Sequence, residues 1–162
     1  MTALLEIYLN DHLAGATAGV ELARRLRSSN RDEPELGPPL AELCAEIEAD
    51  RETLRKVMER LEIRRSCVKP VAAWAGEKLG RLKLNGRLRG YSPLSRLLEL
   101  EVLAIGIAGK ARMWRTLDQA VDESVDGIGF GQLAERADGQ RARVEELHRI
   151  AAERAFGRAG IG

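Results

Sequence analysis

PLAELCAEIEADRETLRKVMERLEIR, residues 39–64, decides the fold class of this chain. Its apolar residues recur at alternating intervals of three and four, which places them on one face of an α-helix. The leading Pro39 suits the first turn of a helix, and no glycine interrupts the segment. One acid, Asp50, falls on the apolar stripe, which is otherwise formed by Leu40, Leu43, Ile47, Leu54, Val57 and Leu61.

Three further segments, at about 3–27, 92–121 and 130–156, show the same helical spacing. The segment at 92–121 opens with Ser92 and Pro93, a helix cap followed by a first-turn proline. No segment alternates as a strand would. At 1.5 Å per residue, helices of this size are each about 35–40 Å long. We therefore predict an all-α fold, a four-helix bundle forming one domain over residues 1–162.

The connection between the second and third helices, at about 65–91, is long and basic. Residues 64–96 contain nine basic residues and one acid, a local net charge of +8, whereas the whole chain carries +1 and the remainder therefore −7. We predict a short amphipathic helix here, because one helical side would carry Val71, Trp74, Ala75, Lys78 and Leu82. Two alternatives stay open. The insertion is either a crossover that makes helices two and three parallel or a side excursion in an up-down-up-down bundle.

Candidate partner-binding residues lie in this basic insertion. We expect them to dock on the acidic surface of the same bundle or of a second subunit, as in a homodimer. A separate protein partner is a second alternative. Nucleic acid or an anionic membrane is a third. The sequence contains no recognisable helix-turn-helix or RNA-binding aromatic motif that would support nucleic acid. The candidates are Trp74, Lys78, Arg81, Lys83 and Arg87.

Composition and motifs argue for a cytoplasmic, non-catalytic protein. Cys44 and Cys67 are the only cysteines and give neither a disulfide framework nor zinc-finger spacing. The N-terminal stretch does not read as a signal peptide, and no apolar run approaches the roughly 20 residues of a membrane span. No nucleophile elbow, P-loop or dinucleotide fingerprint occurs.

Four polar residues on the predicted inner stripes form a candidate metal site: His12, Glu101, Glu145 and His148. The sequence Glu145-x-x-His148 puts a carboxylate and an imidazole on adjacent turns of one helix face. Through this motif the chain resembles the ferritin-like superfamily of four-helix bundles. That resemblance implies two metals held by a Glu from each of two helices and a Glu-x-x-His from each of the others. Only one Glu-x-x-His is present, since helix two reads Glu46-Ile47-Glu48-Ala49.

The topology decides whether these residues can converge. In an up-down-up-down bundle His12, Glu101 and His148 reach one level, with Glu145 a turn away, as a site for iron, manganese or zinc. With a crossover, His12 lies at the opposite end. The alternative is that they are core-edge polar groups that satisfy one another, and Asp50 is predicted to be a salt-bridge or hydrogen-bond partner.

Glycines at helical spacing mark the first and third helices. Gly15 with Gly19, and Gly106 with Gly109, predict close packing between helix backbones, with a ligand pocket as the alternative.

The favoured hypothesis is a ferritin-like bundle without a complete di-iron site, acting as a non-catalytic binding or structural protein that self-associates and needs no cofactor. Two alternatives are a metal storage or redox protein and an adaptor that binds nucleic acid or anionic membrane through residues 64–96.

Overall fold

Four long α-helices account for nearly all of the chain that the structure, a computed structural model, describes. The described residues are 3–65, 91–121, 124, 127 and 129–157, and within these ranges there is no strand. The prediction of an all-α fold with four helices is confirmed. The helices are α1 (Ala3–Ser29), α2 (Gly37–Arg60), α3 (Pro93–Ala120) and α4 (Phe130–Phe156).

The helix ends follow local chemistry, and at α2 they differ from the prediction. Ser92 caps α3 as predicted, because its hydroxyl accepts a hydrogen bond from the Ser95 N–H at 3.0 Å. The helix α2 begins two residues before Pro39 and ends at Arg60 instead of residue 64. The chain turns at Glu62, which adopts a φ of 53°, and the Ile63 N–H donates to the Met58 carbonyl at 2.8 Å. The hydrogen bonds of this turn provide donors for carbonyl groups of the last helical turn that have no partner within the helix.

The glycine at the start of α2 is required by a close backbone approach. A Cβ built on Gly37 would lie 2.7 Å from the carbonyl oxygen of Arg31 and 3.0 Å from that of Asn30. Backbone atoms cannot yield as the end of a side chain can. The turn between α1 and α2 is therefore tight enough to exclude any side chain at position 37.

Contacts at one end of the bundle fix the direction of every helix. Arg25, near the end of α1, pairs with Glu99, near the start of α3, at 2.8 Å. Arg154, near the end of α4, pairs with Glu33 in the turn before α2 at 2.8 Å. We call this the upper end. The helices α2 and α3 both start there and run parallel, so of the two topologies left open by the sequence, the chain has the crossover.

Neighbouring helices surround a core that a polar layer divides. The helix α1 packs against α2 and α3, and α4 packs against α3 and joins α2 through ion pairs, so α2 and α3 lie diagonally opposite. Buried apolar residues form an upper cluster, from Val20 to Ala151, and a lower cluster around Trp114 and Phe130, whose rings stack with centroids 6.0 Å apart. On α2, Asp50 lies between the two clusters.

Close packing at the four helical glycines is not found among the described residues, so that prediction is wrong for this part of the chain. No described atom outside the local helix comes within 4 Å of a Cβ built at Gly15, Gly19, Gly106 or Gly109. None of the described helices is both long enough and apolar enough to cross a membrane.

Candidate functional site

The polar layer in the core is centred on Asp50, a residue that is 3% exposed. It accepts hydrogen bonds from Lys110 on α3 and from Arg136 and Gln140 on α4, the last at 3.0 Å. Two cations therefore neutralise one buried carboxylate, and three helices meet on it. The prediction that Asp50 is a salt-bridge and hydrogen-bond partner is confirmed. The cations that pair with it are Lys110 and Arg136.

Gln140 extends the layer from the core toward the surface. Its amide oxygen accepts from Lys110, and its amide nitrogen donates to Glu46 as well as Asp50, both at 3.0 Å. Arg143, one turn further along α4, pairs with Glu46. Both polar atoms of the fully buried Gln140 side chain therefore form hydrogen bonds. A buried polar group without such partners would destabilise the fold.

Burial and charge act in opposite directions on the titratable groups of this layer. Burial lowers the pKa of Lys110, although the neighbouring Asp50 carboxylate opposes that shift. At Glu46 burial alone would raise the pKa, but hydrogen bonds from Arg143 and Gln140 outweigh it and hold the pKa below its ordinary value. The layer is a chain of alternating charges and has no acid left without a cation.

A second polar cluster lies at the upper end around Glu99, which is fully buried. Its carboxylate accepts from the Tyr91 hydroxyl at 3.0 Å and lies 2.8 Å from Nε of Arg25. Arg25 and Glu99 form an ion pair but not a hydrogen bond. The Glu99 oxygen that faces Arg25, Oε1, accepts no hydrogen bond of suitable geometry from the described part of the chain. Burial raises the pKa of Glu99, and the Tyr91 hydrogen bond and the Arg25 charge counter that rise.

The same cluster fastens the α1–α2 turn to α3 and α4. Asn30 donates to the Tyr91 hydroxyl at 3.4 Å and accepts from Arg96. Arg96 also reaches Glu33 at 3.2 Å and places its guanidinium 5.7 Å from the centroid of the Tyr91 ring. Burial raises the pKa of Tyr91 far above its ordinary value, so this phenol stays a neutral donor.

The structure brings together only two of the four candidate metal ligands. His148 Nε2 lies 3.1 Å from a carboxylate oxygen of Glu101, and both side chains are on the surface. Glu145, also exposed, pairs with Arg141 at 2.6 Å. His12 packs edge-on against Tyr8 with ring centroids 4.5 Å apart, and burial lowers its pKa despite the nearby Asp11.

The crossover separates His12 from the other three. Glu101 lies two residues beyond Glu99, at the level of Arg25 on α1, and thirteen residues of α1 separate Arg25 from His12. At 1.5 Å per residue that is about 20 Å along the bundle. The convergence that an up-down-up-down bundle would produce is therefore not formed. Within the described ranges no three His, Cys, Asp or Glu side chains are grouped as a metal would need.

The other sequence-derived candidates lie outside the described residues. They are the partner-binding residues Trp74, Lys78, Arg81, Lys83 and Arg87, and with them the amphipathic helix predicted for the insertion.

An open depression of about 510 Å³ at the start of α2 is lined by Arg27, Ser28 and Arg31. A helix start often binds anions through free N–H groups. Here Pro38 and Pro39 have none, and the N–H groups of Gly37 and Leu40 donate to the carbonyls of Glu33 and Leu36. Only the two arginines and the serine hydroxyl remain to attract an anion, which is less than a built site.

No family model, no curated protein and no solved structure matches this chain.

Proposed function

We propose that this chain is a ferritin-like helical bundle without a complete di-iron site, acting in the cytoplasm as a non-catalytic binding or structural protein. The proposal rests on one observation: the buried carboxylates are already paired with cations of the same chain. The acids buried in the described core are Asp50 and Glu99, and cations of the chain itself already pair with both. In a di-metal bundle, interior carboxylates instead hold the metals.

The helix directions support the ferritin-like part of the proposal. Ferritin-like bundles contain one long crossover, which makes the two helices it joins parallel, and α2 and α3 both start at the upper end. An up-down-up-down bundle would need no crossing. The direction of the helices and the fragmentary Glu-x-x-His motif both favour this superfamily.

Metal content tests the non-catalytic assignment. Protein purified without a metal-affinity tag should contain no stoichiometric iron, manganese or zinc by elemental analysis, and should take up none tightly after incubation with Fe(II) or Zn(II). Stoichiometric metal that is lost in an Asp50→Asn or a Glu99→Gln variant would contradict the proposal, because the interior carboxylates would then be ligands.

A metal-binding protein is the second candidate, and the contact between Glu101 and His148 favours it. A carboxylate and an imidazole 3.1 Å apart, with Glu145 one turn from the histidine, could bind iron, manganese or zinc at the surface. Metal that disappears from a Glu101→Ala/His148→Ala variant, and remains in a His12→Ala variant, would establish this candidate in place of the first.

Self-association is part of the leading proposal. We expect a homodimer, with a mass in light scattering twice the 17.9 kDa of one chain. A monomer at all accessible concentrations would remove this part and leave a separate protein as the partner.

An adaptor role through residues 64–96 rests on the charge of that segment. Nucleic acid or anionic vesicles would then bind in a salt-dependent manner, and neutralising Lys78, Arg81, Lys83 and Arg87 would abolish the binding. Absence of binding at low salt would remove this alternative.

A further inference from the structure

The four helices form two hairpins, in each of which consecutive helices pack against each other. The helices α1 and α2 form one hairpin across the tight turn at Gly37, and α3 and α4 form the other. Each hairpin has contacts of its own. Arg24 on α1 bonds to Glu48 on α2 at 2.7 Å, and Trp114 on α3 stacks on Phe130 of α4. Because residues 61–92 separate the hairpins in the chain, neither turn fixes the position of one hairpin against the other.

Both acids that are buried in the described part of the core connect the two hairpins. Asp50 on α2 pairs with Lys110 on α3 and with Arg136 on α4. Glu99 on α3 pairs with Arg25 on α1 at 2.8 Å. Glu99 lies at the upper end and Asp50 lies between the two apolar clusters, so buried charges join the hairpins at two levels.

The apolar residues at this interface do not by themselves define one register. The buried apolar residues of α4 recur every three or four positions from Phe130 to Ala151, and those of α2 do so from Leu40 to Met58. A helix with such a stripe can slide by one turn, about 5.4 Å, and still present apolar side chains to its neighbour. Polar groups lack this tolerance, because the same slide would leave buried charges and amides without partners.

On α2 and α4, which the structure describes throughout, Asp50 and Gln140 are the polar residues among the buried ones, and they bond to each other at 3.0 Å. Gln140 also accepts from Lys110, so the contact extends to α3. A polar residue within an apolar seam is a well-attested means of specifying helix register, and it usually lowers stability. The pairing of one such residue on α2 with one on α4 has this form.

We propose that the buried acids Asp50 and Glu99 set the register of the α3–α4 hairpin on the α1–α2 hairpin. A buried ion pair adds little net stability compared with apolar side chains in the same space, since desolvation offsets the attraction. Removing one partner alone remains costly, because it leaves a buried charge unpaired. These pairs therefore contribute alignment more than strength. This role goes beyond the proposed binding or structural function and does not depend on which partner is bound.

Replacing the acids together with their partners tests the proposal. The apolar variant removes both acids, their cationic partners and the buried amide, and carries Arg25→Met, Asp50→Leu, Glu99→Leu, Lys110→Met, Arg136→Met and Gln140→Leu. It leaves Glu46 paired with Arg143. The control variant keeps all the polar groups and exchanges buried leucines of the same helices, as Leu54→Met/Leu100→Met/Leu147→Met, which is a volume-conserving change that cores tolerate.

The distance between two spin labels reports the register. One label is placed at Glu59→Cys, near the lower end of α2, and the other at Glu153→Cys, near the upper end of α4, in a Cys44→Ala/Cys67→Ser background. Because these positions lie far apart along the bundle, a slide of one turn changes their distance by about 5 Å. We expect one narrow distribution in the wild type and the control, and at least two populations about 5 Å apart in the apolar variant. The apolar variant should keep its helices by circular dichroism and unfold at no lower urea concentration than the wild type.

A single narrow distribution at the wild-type distance in the apolar variant would overturn the proposal. A second population in the control variant would overturn it as well, because any repacking of the core would then disturb the alignment. An apolar variant that fails to fold, or that unfolds at a lower urea concentration, would also contradict it, since the acids would then be needed for stability itself.

Discussion

Asp50 illustrates what one residue in a sequence pattern can and cannot reveal. Its place on an otherwise apolar stripe predicts a buried acid that must be paired. The sequence does not give the partners, because Lys110 and Arg136 reach it from helices whose facing and direction depend on the topology. Lys110 in particular extends across the bundle from the diagonally opposite helix.

Removing the Asp50 carboxylate should destabilise the protein strongly. An Asp50→Ala variant leaves Lys110 buried beside Arg136 without the carboxylate that pairs with both, and breaking a buried pair in this way costs about 3–5 kcal/mol. Chemical denaturation of the variant measures the loss. Asp138→Ala, which removes the exposed partner of Arg115, is the control and should cost less than about 1 kcal/mol. Equal losses in the two variants would show that Asp50 is not effectively buried.

Glu99 should give the protein a distinctive pH dependence. Burial raises its pKa above the ordinary 4.5, so the folded state binds more protons than the unfolded state between these two values. Its stabilising contribution is complete below the unfolded pKa and is lost as pH rises through the folded pKa. We therefore expect the free energy of unfolding of the wild type, relative to Glu99→Gln, to increase as the pH falls through the raised pKa of the folded state toward the ordinary value of 4.5.

Denaturant titrations of both proteins at several pH values measure this difference. Glu135→Gln, a change at an exposed position of α4, should leave the pH dependence of the wild type unaltered. Parallel stability curves for wild type and Glu99→Gln would contradict a raised pKa at this carboxyl.

The choice between Glu99 and Glu101 shows a limit of periodicity. The sequence pattern placed Glu101 on the inner stripe, but Glu101 is exposed and Glu99 is the buried acid of α3. The reason is that α3 is apolar nearly all round, with Val102 and Ile105 on its exposed side. A helix without a clear polar face does not indicate which of two acids points inward.

At the scale of the elements, the helices were predictable and the turns were not. The spacing of apolar residues located all four helices, and Ser92 with Pro93 fixed the start of α3, because caps and first-turn prolines act locally. The early start of α2 depends instead on Gly37 fitting against the carbonyls of the preceding turn. Such a contact follows only from the path of the backbone.

A side chain at the start of α2 should be costly for this reason. In Gly37→Ala the new Cβ would lie 2.7 Å from the Arg31 carbonyl oxygen, and relieving such overpacking typically costs about 1–3 kcal/mol. Gly139→Ala on α4 is the matched control, since it adds a methyl group in open space and should stabilise by about 0.5–1 kcal/mol. Thermal unfolding compares the two. A stabilised Gly37→Ala variant would mean that the turn is looser than described.

At the scale of the whole molecule, topology governs the function that can be proposed. The candidate ligands were chosen as polar residues on the predicted inner stripes, but their convergence required α2 and α3 to be antiparallel. Sequence periodicity carries no information on helix direction, and a 25-residue connection permits either topology. The observed directions place His12 away from Glu101 and His148, and bring cations to the buried acids instead.

The charge distribution is a global feature that can be read directly from the sequence. The segment 64–96 carries +8 and the remainder −7, and the pairs of Arg96 with Glu33 and of Arg154 with Glu33 show basic residues meeting the acids of the α1–α2 turn. Opposite charges at the upper end thus join three helix termini.

The parallel run of α2 and α3 is the claim on which the separation of the candidate ligands depends, and electron–electron distance measurement tests it most directly. One spin label is placed at Ser28→Cys near the end of α1, and the second at Leu94→Cys or Thr116→Cys, near the start and the end of α3, in a Cys44→Ala/Cys67→Ser background. Positions 94 and 116 lie about 33 Å apart along the helix. We predict a short distance from 28 to 94, about one helix spacing of 8–10 Å plus the label arms, and a distance above about 30 Å from 28 to 116. The reverse order of the two distances would show antiparallel α2 and α3, and would contradict the account.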